Sequence, residues 1–340
     1  MKRILPLFLA LALLLTGCAA VSTTETTSQT VSQVDSPSSA LESAPESASS
    51  QLESVGEVSI TDSNGSQITL DTSAPRVVAA YGSFAEAWLL AGGELVGVTQ
   101  DALEQRDLGL PEDIAVVGTV KEPNAEEIIA LEPDLVLLAS DITTQADIRD
   151  VLENAGLACA FFQVDTFADY AFMMEQLCAV TGREDLYEEN VTQVGQQIEE
   201  AQANAALSST RPNVLLIRAF STGIKAKTDD ELAGAILKDL GAHNIADDHP
   251  SMLEDLSLEE VIAADPDYIF VTTMGDEQKA LDYLNGLIQQ NPAWSELSAV
   301  KEDRYIVLPK DLFHYKPNNR WGESYQYLGE ILYPQLFHEE

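Results

Sequence analysis

Nine of the chain's 18 basic side chains fall in two short stretches: Arg211, Arg218, Lys225 and Lys227, then Lys301, Arg304, Lys310, Lys316 and Arg320. In a chain with 56 acidic residues and a formal net charge of −38, such gathering points to an anionic ligand gripped by guanidinium forks. The bland alternative is surface pairing with the abundant acids. Tyr81, Lys121, Arg218, Phe220, His314, Tyr315 and Arg320 stand in loops at or near the carboxyl ends of predicted strands, where open parallel sheets meet ligands. They form the candidate contact set. Tyr81, His314 and Tyr315 also carry oxygen and nitrogen donors of the kind that ligate iron. A bare transition-metal site is not expected, because His243, His249, His314 and His338 sit at no short ligand spacing. The chain has no GxGxxG after a strand, no GxxxxGK[ST], no GxSxG and no HExxH, so it is not expected to be an enzyme. Its charge repels phosphate backbones, which excludes nucleic acid as a partner.

Those residues need strand ends to stand on, and short apolar runs supply them. Residues 77–80, 95–98, 135–138 and 160–164 read as strands with helical periods between most of them. That alternation belongs to a parallel α/β sheet covered on both faces. Residues 213–217, 268–271 and 305–308 read as a second sheet on the same plan. Ahead of the first sheet, residues 57–61 and 67–70 flank Asp62-Ser63-Asn64-Gly65 as a hairpin. Between the sheets, Tyr187, Val191, Val194, Ile198, Ala201 and Ala205 recur at spacings of four and three. They predict one helix over 183–208, about 39 Å long, that joins two lobes. Cys159 and Cys178 match no metal or redox spacing, and two buried thiols or one bridge stand as equal alternatives.

A repeat ties the halves together. Residues 124–139 align without gaps on residues 257–272, with six identities. In each copy Asn124 or Ser257 is expected to cap a helix, and Glu127 or Glu260 to close a capping box. A Pro then stops the helix before an apolar strand. Two such copies flanking a long helix imply a two-lobed molecule with a cleft.

The first residues are of another kind. Lys2-Arg3 precedes an apolar run of about 12 residues, which fits a secretory signal and is too short to span a bilayer. Leu15-Thr16-Gly17-Cys18 resembles the bacterial lipobox, with Cys18 as the lipidated residue after cleavage. Of the 38 residues from Ala19 to Gly56, 16 are Ser or Thr and none is basic or aromatic, so this stretch is expected to be a flexible tether. The expected organisation is a signal at 1–17, an anchored linker at 18–56, a first lobe at 57–182, a connecting helix at 183–208 and a second lobe at 209–340. The protein would lie lipid-anchored on the extracytoplasmic face of the membrane.

Residues 74–78 (Ala-Pro-Arg-Val-Val), 95–99 (Leu-Val-Gly-Val-Thr), Val117-Gly118, and the repeat copies ending in Pro133-Asp134 and Pro266-Asp267 carry a wider likeness. In that order and spacing, the chain resembles the substrate-binding lipoproteins of ABC importers for ferric siderophores, haem and cobalamin, over roughly residues 57–336. The resemblance implies two Rossmann-like lobes joined by one long helix, with ligand held between them. It implies a ferric siderophore or haem as ligand, no cofactor of the protein's own, a permease and its ATPase as partners, and a monomeric state. It also implies permease docking by one exposed Glu per lobe, at Glu126 and Glu259. Cobalamin is the alternative cargo. It is disfavoured because Val120 and Ala139 stand where corrinoid binders of the family place Trp. A surface lipoprotein without a transport role is the alternative of a different class.

Overall fold

The two Pro-Asp pairs of the repeat are latches. In the computed structural model, which describes residues 57–254 and 256–337, Asp134 accepts the backbone N–H of Arg76 through Oδ2 at 2.7 Å and returns its own N–H to the Arg76 carbonyl at 2.8 Å. Asp267 makes the same two bonds with Asn213, both at 2.8 Å. Each Asp thus locks the start of one strand to the start of its neighbour. The residue before each Pro, Glu132 or Asp265, is left-handed at φ 48° or 40°. The repeat therefore encodes a helix stop, a left-handed turn and a strand latch, used once in each sheet.

The chain opens with the antiparallel pair β1 (Val58–Thr61) and β2 (Gln67–Leu70) around a turn with Gly65 at φ 79°. The first sheet is built from β3 (Val77–Ala79), β4 (Leu95–Val98) and β5 (Ala115–Val116). After a small antiparallel hairpin of β6 (Gly118–Thr119) and β7 (Glu122–Pro123), it is completed by β8 (Leu135–Ala139) and β9 (Ala158–Phe162). All its pairings are parallel, in the order β5-β4-β3-β8-β9. The last strand begins and ends two residues earlier than its predicted span, because Phe162 already pairs with Ala139, where β8 stops.

The second sheet contains β10 (Asn213–Phe220), β11 (Gly223–Lys227), β12 (His243–Asn244), β13 (Tyr268–Thr273) and β14 (Tyr305–Val307). It is mixed rather than wholly parallel: β11 returns antiparallel along β10, with Arg218 opposite Lys225, while β12, β13 and β14 pair parallel.

The central strands β3, β8, β10 and β13 are buried on both faces, which is why they read as near-continuous apolar runs. On one face Val77, Leu135, Leu137 and Phe162 join Val214, Leu216 and Phe270 in a core that reaches into both lobes. The helix Phe167–Thr181 and the C-terminal helix Trp321–Leu332 fill it. The opposite faces have separate cores, around Val136, Leu138 and Phe161 in the first lobe and Ile217, Val271 and Trp294 in the second. Both sheets belong to one compact unit.

The joining helix runs Glu184–Tyr187 and Gln193–Ala206, with a π turn at Glu188–Thr192 between them. Its period is therefore broken once, where Asn190 reaches out to bond other elements. Two further expectations are revised. The capping boxes are half-built: Asn124 Oδ1 accepts from Glu126 and Glu127 N–H, but the N–H of Asn124 donates to the Val117 carbonyl, so Glu127 has no return bond to make. Ser257 Oγ accepts from Glu260 N–H, whereas the Glu260 carboxylate turns to Ser251 Oγ at 3.0 Å. Cys159 and Cys178 are both buried free thiols, and burial pushes them up to about 12 and about 11. The signal at 1–17, Cys18, the linker at 18–56 and His338 lie outside the described residues.

Candidate functional site

Tyr81 follows β3 and precedes the helix Gly82–Leu90. Its backbone is fixed from the next residue: Gly82 N–H donates to the buried Asp101 Oδ2 at 2.7 Å. A Cβ on Gly82 would sit 2.8 Å from that oxygen and 2.9 Å from the Ala102 backbone, so the site requires glycine. The Tyr81 ring meets Phe84 edge-on at 5.2 Å. Burial raises its phenol above the ordinary value, against the pull of Lys316.

The wholly buried Gln145 braces the neighbouring loops. Its Nε2 donates to the carbonyls of Ala80 and Val120, and its Oε1 accepts from Ala139 N–H at 2.8 Å. Three strand-end segments are thereby tied to one side chain with every polar atom satisfied.

From the second lobe, the short helix Lys310–Phe313 delivers His314 and Tyr315, whose rings lie 5.3 Å apart. Burial, then the charges of Arg218, Lys310 and Lys316, push His314 down to about 4, so the imidazole is neutral at pH 7. Its Nδ1 is buried without a hydrogen-bond partner among the described residues, as is Nε of Arg218. Tyr315 is raised by burial, and it feels Arg106, Glu277 and Tyr81.

The rings of His314 and Tyr315 are in contact, and Arg218 and Tyr81, from the two lobes, lie near enough to act on them electrostatically. Lys121, Phe220 and Arg320 do not enter this group. Lys121 is exposed at the tip of the β6–β7 hairpin, and Phe220 is half-buried at the β10–β11 turn. Arg320 is forked onto Glu323 at 2.7 and 2.8 Å and held by Asp311 at 2.7 Å. It lines, with Tyr315, Arg106, Glu86 and Asp107, an interlobe cavity of about 300 Å³.

Much of the clustered positive charge is paired. Arg218 and Lys227 share the carboxylate of Glu231, Lys316 binds Asp165 at 3.0 Å across the lobes, Lys301 meets Glu296, and Arg304 meets Glu302. Lys310 donates to the Gly275 carbonyl at 2.6 Å, which leaves its charge uncompensated by that contact. Of the three cations facing His314, Arg218 and Lys316 are thus already ion-paired and Lys310 has only its carbonyl contact, while Lys301 and Arg304 sit in surface ion pairs. Lys316, Lys310, Gln145 and Arg106 were absent from the candidate set. The first two could have been found as members of the basic stretches, but nothing in the sequence marks the other two.

Glu126 and Glu259 are exposed, each in the first turn of its helix, Ala125–Ala130 and Leu258–Ala264. Their carboxylates favour the helix N-terminus whether or not they meet a partner. No group of three or more His, Cys, Asp or Glu able to hold a metal ion exists among the described residues.

Two α/β sheets, a joining helix and polar and aromatic side chains gathered near the strand ends are the architecture of a two-lobed solute-binding protein. The chain belongs to the periplasmic binding protein family, whose sequence pattern matches residues 77–312. It is 26% identical over 273 residues to the Fe(3+)-citrate-binding protein YfmC of Bacillus subtilis, covering 77% of this chain and 82% of YfmC. Staphylococcus aureus IsdE, solved in complex with heme, shares the fold at a TM-score of 0.64 and 19% identity, over 76% of this chain and 99% of that one. Staphylococcus aureus SirA, solved with staphyloferrin B, does so at 0.62 and 20% identity, over 83% and 99%.

Proposed function

We propose that this chain is the solute-binding component of an ABC importer, capturing an iron chelate, either a ferric siderophore or haem, and handing it on unaltered. The observation that carries the reading is the group around His314: an imidazole kept neutral by burial and by Arg218, Lys310 and Lys316, beside the phenols of Tyr81 and Tyr315. An anionic chelate brings negative oxygens to Lys310 and to the unpartnered Nε of Arg218, and a flat or aromatic body to the rings, and it leaves the protein no bond to make or break. Relatives named for Fe(3+)-citrate and heme support iron as the cargo. The iron belongs to the ligand, and no resident cofactor is needed.

In this reading Cys18 bears the lipid that holds the monomer on the extracytoplasmic face, and the tether gives the lobes reach to the permease. Glu126 and Glu259 offer one carboxylate per lobe to basic pockets of that permease. A thermal-shift screen of residues 57–337 tests the cargo class, because a ligand that binds only the folded state stabilises it by mass action. Ferric citrate, a ferric catecholate or haemin should raise the melting temperature in proportion to the logarithm of its concentration. A response to cobalamin alone, or to none of these, would contradict the proposal.

A further inference from the structure

The loop that presents His314 and Tyr315 is fastened to the opposite lobe by buried and half-buried polar groups. Arg106 donates from Nη2 to the Lys316 carbonyl and to Ser83 Oγ, both at 2.8 Å, and pairs through Nη1 with Glu86. Asn318, wholly buried, donates from Nδ2 to the Ser83 carbonyl at 2.8 Å and to Glu86 Oε2 at 2.6 Å. Its backbone is left-handed at φ 51°, a conformation that Asn tolerates better than most residues. One position on, Asn319 Nδ2 donates to Asn190 Oδ1 in the π turn, and Asn190 Nδ2 in turn donates to the Leu90 carbonyl.

We propose that Arg106, Glu86 and Asn318 are positioning residues: a polar staple that fixes the spacing of the lobes and so sets the position of Tyr315 relative to Tyr81. Apolar contact between lobes is tolerant of sliding, whereas these directed hydrogen bonds are all made at one geometry only. Whether exposed or buried, a single ion pair is a poor route to stability, and this one is half-buried. The bonds that tie this pair to the Lys316 carbonyl and to Asn318, on the loop that carries two candidate ligand contacts, give it a geometric role instead. The inference deepens the proposed function and rests on it for one of its two readouts.

The test is the double variant Glu86→Met with Arg106→Met, which fills the volume without charge, together with Asn318→Ala. In the ligand-free protein, amide exchange of residues 82–86 and 314–320 should quicken about tenfold in both variants, while helix Phe167–Thr181 exchanges as before. With a ferric chelate that binds the native protein, the dissociation rate should rise about tenfold while the association rate stays within about twofold. A residue that served only stability would lower the melting temperature without that split. Native-like exchange at both segments, or an unchanged dissociation rate beside faster exchange, would overturn the staple. If the native protein binds no chelate while exchange still quickens in the variants, the staple stands and the proposed function fails.

Discussion

At the scale of single residues, His314 carries the clearest consequence. Its folded-state value of about 4 lies below the ordinary 6.5, first because of burial and then because three cations face it. The unfolded chain therefore takes up a proton, as pH falls, that the folded chain refuses. The stability tied to this group is fully present above about pH 6.5 and is lost progressively as pH falls towards 4, by up to about 3 kcal/mol. Urea midpoints measured from pH 7 to 4 should fall more steeply for the native protein than for His314→Gln. Parallel curves would show that the ring is solvated and free to protonate. The ion pairs around it explain why the charge pattern was only partly legible in sequence. The acids that neutralise Arg218 and Lys316 lie 13 and 151 residues away, and only the folded chain brings Glu231 and Asp165 to them. Gln145, which braces three loops, is one of many glutamines until its burial is known.

At the scale of elements, legibility follows burial. The strands beginning at Val77, Leu95 and Leu135 lie centrally in the sheet, so their side chains must be apolar on both faces and the run shows in the sequence. The Gly223–Lys227 strand alternates charge and small residues because it is an edge, and its pairing depends on the register of its partner. The two-residue strands around the Gly118–Pro123 hairpin carry too few side chains for any period. The π turn falls inside a regular helical pattern, where Tyr187 and Val191 already sit at the expected spacing. The repeat was legible as a repeat, but its Asp was readable only as a turn residue. Because Asp134 satisfies the N–H that starts β3, Asp134→Ala should destabilise the first lobe by about 1 kcal/mol. Asp267→Ala should do the same in the second. Denaturant midpoints unchanged in both variants would mean that water replaces the latch at no cost.

At the scale of the whole molecule, the two lobes carry equivalent exposed acids and meet around the Tyr81–His314 group. Those two features should be separable. Glu126→Ala with Glu259→Ala should leave chelate affinity within about twofold, because neither side chain belongs to the Tyr81–His314 group, and should abolish transport by cells that depend on this importer. Transport that survives the double change would reduce both acids to helix-end charges. The most direct measurement is a tryptophan-fluorescence titration of residues 57–337 with ferric citrate, a ferric catecholate and haemin, repeated with Arg218→Gln. Trp321 follows Tyr315 on the same segment and begins the helix Trp321–Leu332, so its emission is the expected reporter of a chelate bound beside Tyr315. Saturable quenching by one of these chelates at one equivalent, with Kd of about 1 µM or tighter and weakened at least about tenfold by Arg218→Gln, is the predicted result. Quenching that never saturates with any of the three, or that is indifferent to Arg218, would contradict the capture of an anionic iron chelate between the lobes.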